Sequence, residues 1–378
     1  MNASARTARA VLPAVTAVLL LAGCAQSGGA AEREASDARP GKPSAPAPKI
    51  TGTTPSGTLL VADFGADTVS FVDPARGRFD SVRVGTAPYG LVVGEDGRAW
   101  VATAEGVAVV DTVTRERLAV VPYETETGTA KIGEYRGGGM GIALSPDGRH
   151  VYVGVNVPGG NGTLEIIDTV QLEVTESVPV GRRPFDVDVS RDGSEVYATN
   201  HDSFDVTVVP TRSPKDTRRI EVAPYGTEGG LGSWLKPHYT AVRASDGKLL
   251  LPFEGERLAV VDPRTGAVGV ERMTANTHQH GAALAPDGSL LVVGTGPIDP
   301  DQDEGPSLTV RRPDGSERVY PLEGPHEDVA VSPDGRTAYV TGGFTRDGYW
   351  DGISVVDLDS GDTRRLAAGE RPLGIAVL

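Results

Sequence analysis

Beyond residue 57 the chain alternates short apolar runs with breaks rich in Gly, Pro and Asp, and the runs recur in a fixed order. Segments such as GIALS (141–145), DVDVS (186–190) and DVAVS (328–332) lead into an Asp-Gly pair, and a second apolar run follows: HVYVGV (150–155), EVYATN (195–200) or TAYVTG (337–342). Runs of this length, rich in Val, Ile and Tyr and bounded by turn residues, read as strands. Asp-Gly between two of them predicts a tight hairpin, because Gly adopts positive φ at little cost. The pairs stand at Asp96-Gly97, Asp147-Gly148, Asp192-Gly193, Asp246-Gly247, Asp287-Gly288 and Asp334-Gly335. A third run ends at an acidic turn: VSFVD (69–73), VAVVD (107–111), LEIID (164–168), LAVVD (258–262) and ISVVD (353–357). A fourth, more polar strand follows, as in FDSVRVG (79–85) and VTESVPVG (174–181). Four strands whose polarity rises outward make a propeller blade.

The units begin near Thr58, Ala99, His150, Glu195, Leu249, Leu290 and Thr337, which gives seven. The first lacks its inner strand, and the chain ends in RPLGIAVL (371–378), an inner strand lacking its successor. Pairing the two closes a ring and removes an exposed sheet edge. A solenoid would leave both partial units uncapped. The predicted fold is therefore all-β: a seven-bladed β-propeller over residues 58–378, with the N- and C-terminal strands completing the first blade.

The amino-terminal pattern is different. Arg6 and Arg9 precede an apolar stretch from Val11 to Leu21, too short to span a bilayer stably, and it ends in Leu21-Ala22-Gly23-Cys24. This resembles a bacterial lipobox. The resemblance implies a signal peptide over residues 1–23 and lipidation of Cys24, the sole cysteine. Acyl chains supply about 0.8 kcal/mol per buried methylene. The expected location is the extracytoplasmic side of a membrane, with lipid as one partner. Residues 24–57 carry Ser, Gly, Ala, Pro and mixed charges with almost no large apolar side chain, which predicts a disordered tether.

Composition narrows the function. The chain has 49 Gly and 28 Pro among 378 residues, in keeping with frequent turns, and a formal net charge of −15. An acidic chain without clustered Lys and Arg is not a nucleic-acid binder. One Cys excludes a disulfide framework and any thiolate-rich metal site. No G-x-S-x-G elbow, H-E-x-x-H or phosphate loop occurs. The run from Asp299 to Gly305 alternates carboxylates but lacks the spacing of a calcium loop and reads as solvated.

EVYATN, TAYVTG, SPDGR (145–149 and 332–336) and VGRRPFDVDVSRDGS (180–194) resemble the YVTN-type repeat of YncE-like propellers, and the likeness covers residues 58–378. The resemblance implies the propeller architecture and, among its members, surface lipoproteins, binding proteins and a few enzymes. It carries no specific chemistry.

Candidate chemistry comes from loop length and histidine placement. The long connections lead into inner strands at 124–138 and 223–237, or join second to third strands at 156–162, 295–306 and 343–351, all on one face. Where the inner strand begins, most units carry a Pro-aromatic or Gly pair: Pro88-Tyr89, Gly139-Met140, Pro184-Phe185 and Pro372-Leu373. Three consecutive units carry Pro237-His238, His278-Gln279-His280 and Pro325-His326 instead, and His201 sits in a loop of the same face. The expected metal set is His238, His278, His280 and His326, for zinc or copper. The expected ligand-binding surround is His201, Asp186, Glu327, Asp328, Tyr89 and Phe185, with Glu254 and Glu256 nearby. Tyr225, Trp234, Phe344, Tyr349 and Trp350 lie in the same insertions and offer grip on a ligand or an envelope partner.

Three readings of the imidazoles stay open at this point: metal ligands, hydrogen-bonding residues of a channel mouth, or a catalytic centre. The favoured function is a monomeric, lipid-tethered, non-enzymatic binding module for a metal ion or small ligand. The alternative is an enzyme of the propeller lactonase or streptogramin-lyase type. In that reading His280 is the general acid or base, with His238, His326 and Glu327 as ligands or orienting groups.

Overall fold

Each Asp-Gly pair forms the hairpin its chemistry demands. Gly97, Gly148, Gly193, Gly247, Gly288 and Gly335 all have φ between 70° and 83°. In the SPDGR copies the Ser hydroxyl donates to the turn Asp, at 2.7 Å in Ser145–Asp147 and 2.6 Å in Ser332–Asp334. The same Asp accepts the backbone N–H two residues on, from Arg149 and Arg336. These turns set the register of strands one and two.

The computed structural model describes residues 53–222, 236–253, 255–296, 305–343 and 348–378. The signal sequence, Cys24, most of the expected tether, Tyr225, Trp234, Glu254, Phe344 and the acidic run 299–304 lie outside the described residues, as does the side chain of Glu256.

The described residues form seven four-stranded antiparallel sheets. Blade 1 joins Pro372–Val377 to Leu59–Asp63, Thr68–Asp73 and Gly77–Arg83, so the two ends of the propeller meet in one sheet. The other blades occupy 91–122, 138–179, 184–221, 241–277, 279–321 and 329–367 in chain order. Second strands are buried along their length, as in Leu59–Asp63 and Leu290–Gly294, whereas outer strands such as Glu116–Pro122 and Thr363–Ala367 are largely exposed. Apolar side chains of adjacent blades interlock: Leu60, Val69 and Phe71 of blade 1 pack with Ala99, Val101 and Val110 of blade 2. Blades 2 and 3 meet through Trp100, Val107, Val151 and Val153.

Inner strands approach so closely that a side chain is excluded at some positions. A Cβ on Gly141 would lie 2.4 Å from the Asp186 Cα, and one on Gly374 would lie 2.5 Å from the Tyr89 carbonyl oxygen. Residues 54–57, counted with the tether on composition, are fastened to the propeller instead. Gly57 N–H donates to the Leu378 carbonyl at 2.7 Å, and Arg115 Nη1 donates to Thr54 Oγ1 at 3.2 Å. Thr54 also donates to the Thr112 carbonyl. The chain thus enters on the face that carries the Asp-Gly turns.

Asp63 tests the electrostatics of this core. It is fully buried; Oδ2 accepts from Thr68 Oγ1 at 2.9 Å and Ser70 Oγ at 2.5 Å, and Oδ1 accepts from Gly369 N–H at 3.0 Å. Burial outweighs these bonds and pushes its pKa from 3.8 up to about 7. The folded protein then retains a proton that the unfolded chain releases. This contribution is fully present below pH 3.8 and is lost as pH rises through about 7, a change of about 4 kcal/mol. Asp63→Asn retains an acceptor for Gly369 and can donate from Nδ2 to both hydroxyls. Its melting temperature relative to wild type is therefore expected to rise between about pH 5 and about pH 8. An equal difference at both would show that Asp63 does not titrate with folding.

Candidate metal centre

Pairing registers define which residues are equivalent at the axis. Leu91 pairs with Val101, Ala282 with Val292 and Val329 with Val340, each pair facing the preceding blade. Counting back two residues, Tyr89, His280 and Glu327 share one position. In blade 5 Leu251, not Leu250, faces the preceding blade, which puts Thr240 level with Leu91 and His238 level with Tyr89. Bonds agree: Tyr89 N–H donates to Ala102 O as Glu327 N–H donates to Thr341 O, and Gly374, Gly90 and Gly281 each donate to the carbonyl of that position in the next blade. The alignment made from the sequence holds for His238 and His280, which both replace the aromatic residue, and is corrected at His326, which takes the preceding, Pro-like position with Glu327 behind it.

The result is a divided axis. Phe64, Tyr89, Met140, Phe185, Leu373 and part of Tyr239 form one apolar cluster. The imidazoles of His201, His238, His278 and His280 gather opposite, all buried. Ligand atoms of His238, His278 and His280 lie within 4.8 Å of one another. His238 stacks on His280 with ring centroids 3.9 Å apart, and His278 meets His280 edge-on at 4.6 Å. The Phe185 ring packs against His201 at 5.5 Å and His238 at 5.2 Å.

Neighbours fix the rings. His201 Nδ1 lies 2.6 Å from Asp202 Oδ1, and Lys236 Nζ also reaches that oxygen at 3.3 Å. With its Nδ1–H on Asp202, His201 presents Nε2 as acceptor, 3.1 Å from His238 Nε2. His238 then donates through Nε2 and keeps a lone pair on Nδ1, which has no hydrogen-bond partner among the described residues. Thr295 Oγ1 lies 3.2 Å from His278 Nδ1 and donates to the His278 carbonyl at 3.1 Å, so Nδ1 carries the proton and the lone pair is on Nε2. Outer-shell bonds of this kind select the tautomer a metal requires. Burial holds His238 well below the usual imidazole range, reinforced by His280, His201, His278 and Arg183. Burial, then Arg183, lowers His201 to about 3 against the pull of Asp202. Both rings are neutral near pH 7, the form that binds metals.

Glu327 borders the triad, with Oε2 3.3 Å from His280 Nδ1. Tyr89 and Tyr239 hydroxyls donate to Oε1 at 3.4 and 3.3 Å. Burial and then the Asp328 charge raise its carboxyl well above the ordinary range, favouring the protonated acid. The other candidates stand elsewhere. His326 is spent within blade 7: Nδ1 donates to the Gly324 carbonyl and Nε2 meets Ser354 Oγ, both at 2.8 Å, so it does not join the other imidazoles. Asp186 bridges blades 4 and 5, accepting Thr240 N–H at 2.8 Å, and Asp328 accepts Val329 N–H at 2.7 Å. Burial raises these two to about 6 and about 7. Trp350 packs on His326 at 5.6 Å and beneath Arg365 at 4.0 Å, and Tyr349 carries Arg371 at 3.9 Å.

Reasoning from sequence missed Tyr239, Asp202, Thr295, Arg136 and Arg183. Arg136 lies inside an insertion, where no periodicity marks it.

The family described as "Lactonase, 7-bladed beta-propeller" matches residues 22–221. No curated protein sequence matches the chain. Among solved structures, the chain is similar to hydrazine synthase of Kuenenia stuttgartiensis at 17% identity and TM-score 0.60, covering 76% of this chain and 88% of that one. Virginiamycin B lyase from Staphylococcus aureus aligns at 13% identity and TM-score 0.59, covering 84% and 92%. The periplasmic gluconolactonase of Pseudomonas aeruginosa aligns at 17% identity and TM-score 0.59, covering 85% and 99%. At such identities the likeness concerns the fold.

Proposed function

Since the chain belongs to the seven-bladed β-propeller lactonase family, we propose that it uses the propeller axis to hold one borderline transition-metal ion, zinc or copper(II), on His238, His278 and His280. One observation carries this reading: three buried imidazoles offer ligand atoms within 4.8 Å of one another. Three neutral imidazole nitrogens suit zinc, with a fourth position left for water or an anion. His201, oriented by Asp202, supports His238 from outside. The metal face lies opposite the Asp-Gly turns where residues 54–57 join the propeller.

Metal-free protein dialysed against zinc or copper(II) is expected to retain one equivalent. Retention of neither ion overturns the reading. A second reading, metal-assisted hydrolysis of a cyclic ester, is favoured by family membership and by Glu327, a buried acid beside His280 with two tyrosines on its other oxygen. A bound metal would supply Lewis acidity and an activated water there. Lactone hydrolysis that requires zinc and is lost in Glu327→Gln supports it; zinc-loaded protein inert to a lactone panel argues for binding alone.

A further inference from the structure

Arg183 immediately precedes Pro184-Phe185 at the start of the blade 4 inner strand and is buried. Its backbone has φ of 55°, but so do the equivalent residues of blades 2 and 1, Ala87 at 50° and Arg371 at 49°. The left-handed turn therefore belongs to the blade, and the guanidinium is what blade 4 adds. That group lies 5.4 Å from the Phe185 ring centroid and 4.3 Å from Tyr135. Nη2 donates to the Glu134 carbonyl at 3.1 Å and lies 3.6 Å from the Glu134 carboxylate. Nε and Nη1 are buried and have no hydrogen-bond partner among the described residues.

A buried guanidinium with unmet donors costs free energy unless an anion or water satisfies it. The carboxylates near it, Glu134 at 3.6 Å and Asp202, leave Nε and Nη1 unbonded. Arg136, also buried, donates only to carbonyls, those of Ala87, Gly137 and Gly139, and forms no ion pair among the described residues. The nearby imidazoles supply no negative charge. The cover is thin, since Tyr135 is 53% exposed.

We propose that Arg183 is the anchor of a second ligand site, for the carboxylate of a small organic anion. The anion's oxygens would accept from Nε and Nη1, and its apolar body would rest against Phe185 and Tyr135. Guanidinium–carboxylate bonds are the strong, charge-assisted kind. The site needs no metal, so it stands or falls apart from the histidine reading.

Benzoate and its neutral isostere benzamide are suitable probes on metal-free, full-length protein. Benzoate is expected to bind and to raise the melting temperature, whereas benzamide does neither. Arg183→Gln is expected to weaken benzoate binding roughly 10-fold or more, with zinc stoichiometry unchanged. Equal effects of benzoate and benzamide on the wild-type protein, or no binding of either, would overturn the proposal, and that comparison requires no variant to fold. Benzoate affinity unaltered in a folded Arg183→Gln protein would overturn it equally.

Discussion

His280→Ala is expected to weaken zinc binding by roughly 100-fold or more, beyond the loss typical of an outer-shell partner. The ring removed stacks on His238 at 3.9 Å, meets His278 at 4.6 Å and sits 3.3 Å from Glu327. Two variants calibrate that loss. Asp202→Asn leaves all three ligands in place but withdraws the acceptor 2.6 Å from His201 Nδ1, so its effect should be smaller, in the range of 10- to 100-fold. His326→Ala removes an imidazole whose nitrogens already meet Gly324 and Ser354, and zinc affinity should not change. Competition titration against a chromophoric chelator measures all three. Equal losses in His280→Ala and His326→Ala would mean that histidine substitution acts through general destabilisation.

Truncation after Arg371 should abolish cooperative unfolding. The missing strand buries Leu373 completely and Ile375 almost so, pairs with Leu59–Asp63, and is tied by Leu378 N–H to the Thr58 carbonyl and by Gly374 N–H to Tyr89. Two buried aliphatic side chains at about 2 kcal/mol each, with several ladder bonds at about 1 kcal/mol, remove on the order of 8 kcal/mol. That is comparable to the whole stability of an ordinary domain. Leu59–Asp63 would also become an open edge, apolar from Leu59 to Ala62, so aggregation should accompany the loss. Thermal melting with size-exclusion chromatography decides it. A monomer with a wild-type transition would show that blade 1 does not hold the ring shut.

The architecture was legible because the Asp-Gly hairpin is a local signal with a steric cause, repeated often enough to count. Closure was legible because the first unit lacked the strand that RPLGIAVL supplies. The site was only partly legible. Aligning on Pro put His238 and His326 in register with Tyr89, which holds for His238, whereas strand pairing shows that Glu327 takes that position in blade 7. A one-residue slip decides which side chain reaches the axis. It hid the placement of Glu327 beside His280, and no sequence pattern foretells that Ser354, on the third strand of blade 7, occupies the His326 ring. Arg136 and Arg183 act through tertiary neighbours. The family, too, is fixed by its match over residues 22–221 rather than by the YVTN-like repeats alone.

Anomalous diffraction at the zinc edge, from crystals of metal-free protein equilibrated with zinc, bears most directly on the centre. The expected result is one peak about 2.0–2.1 Å from a nitrogen of each of His238, His278 and His280. Zinc found only at surface carboxylates, with the three imidazoles empty, would contradict it.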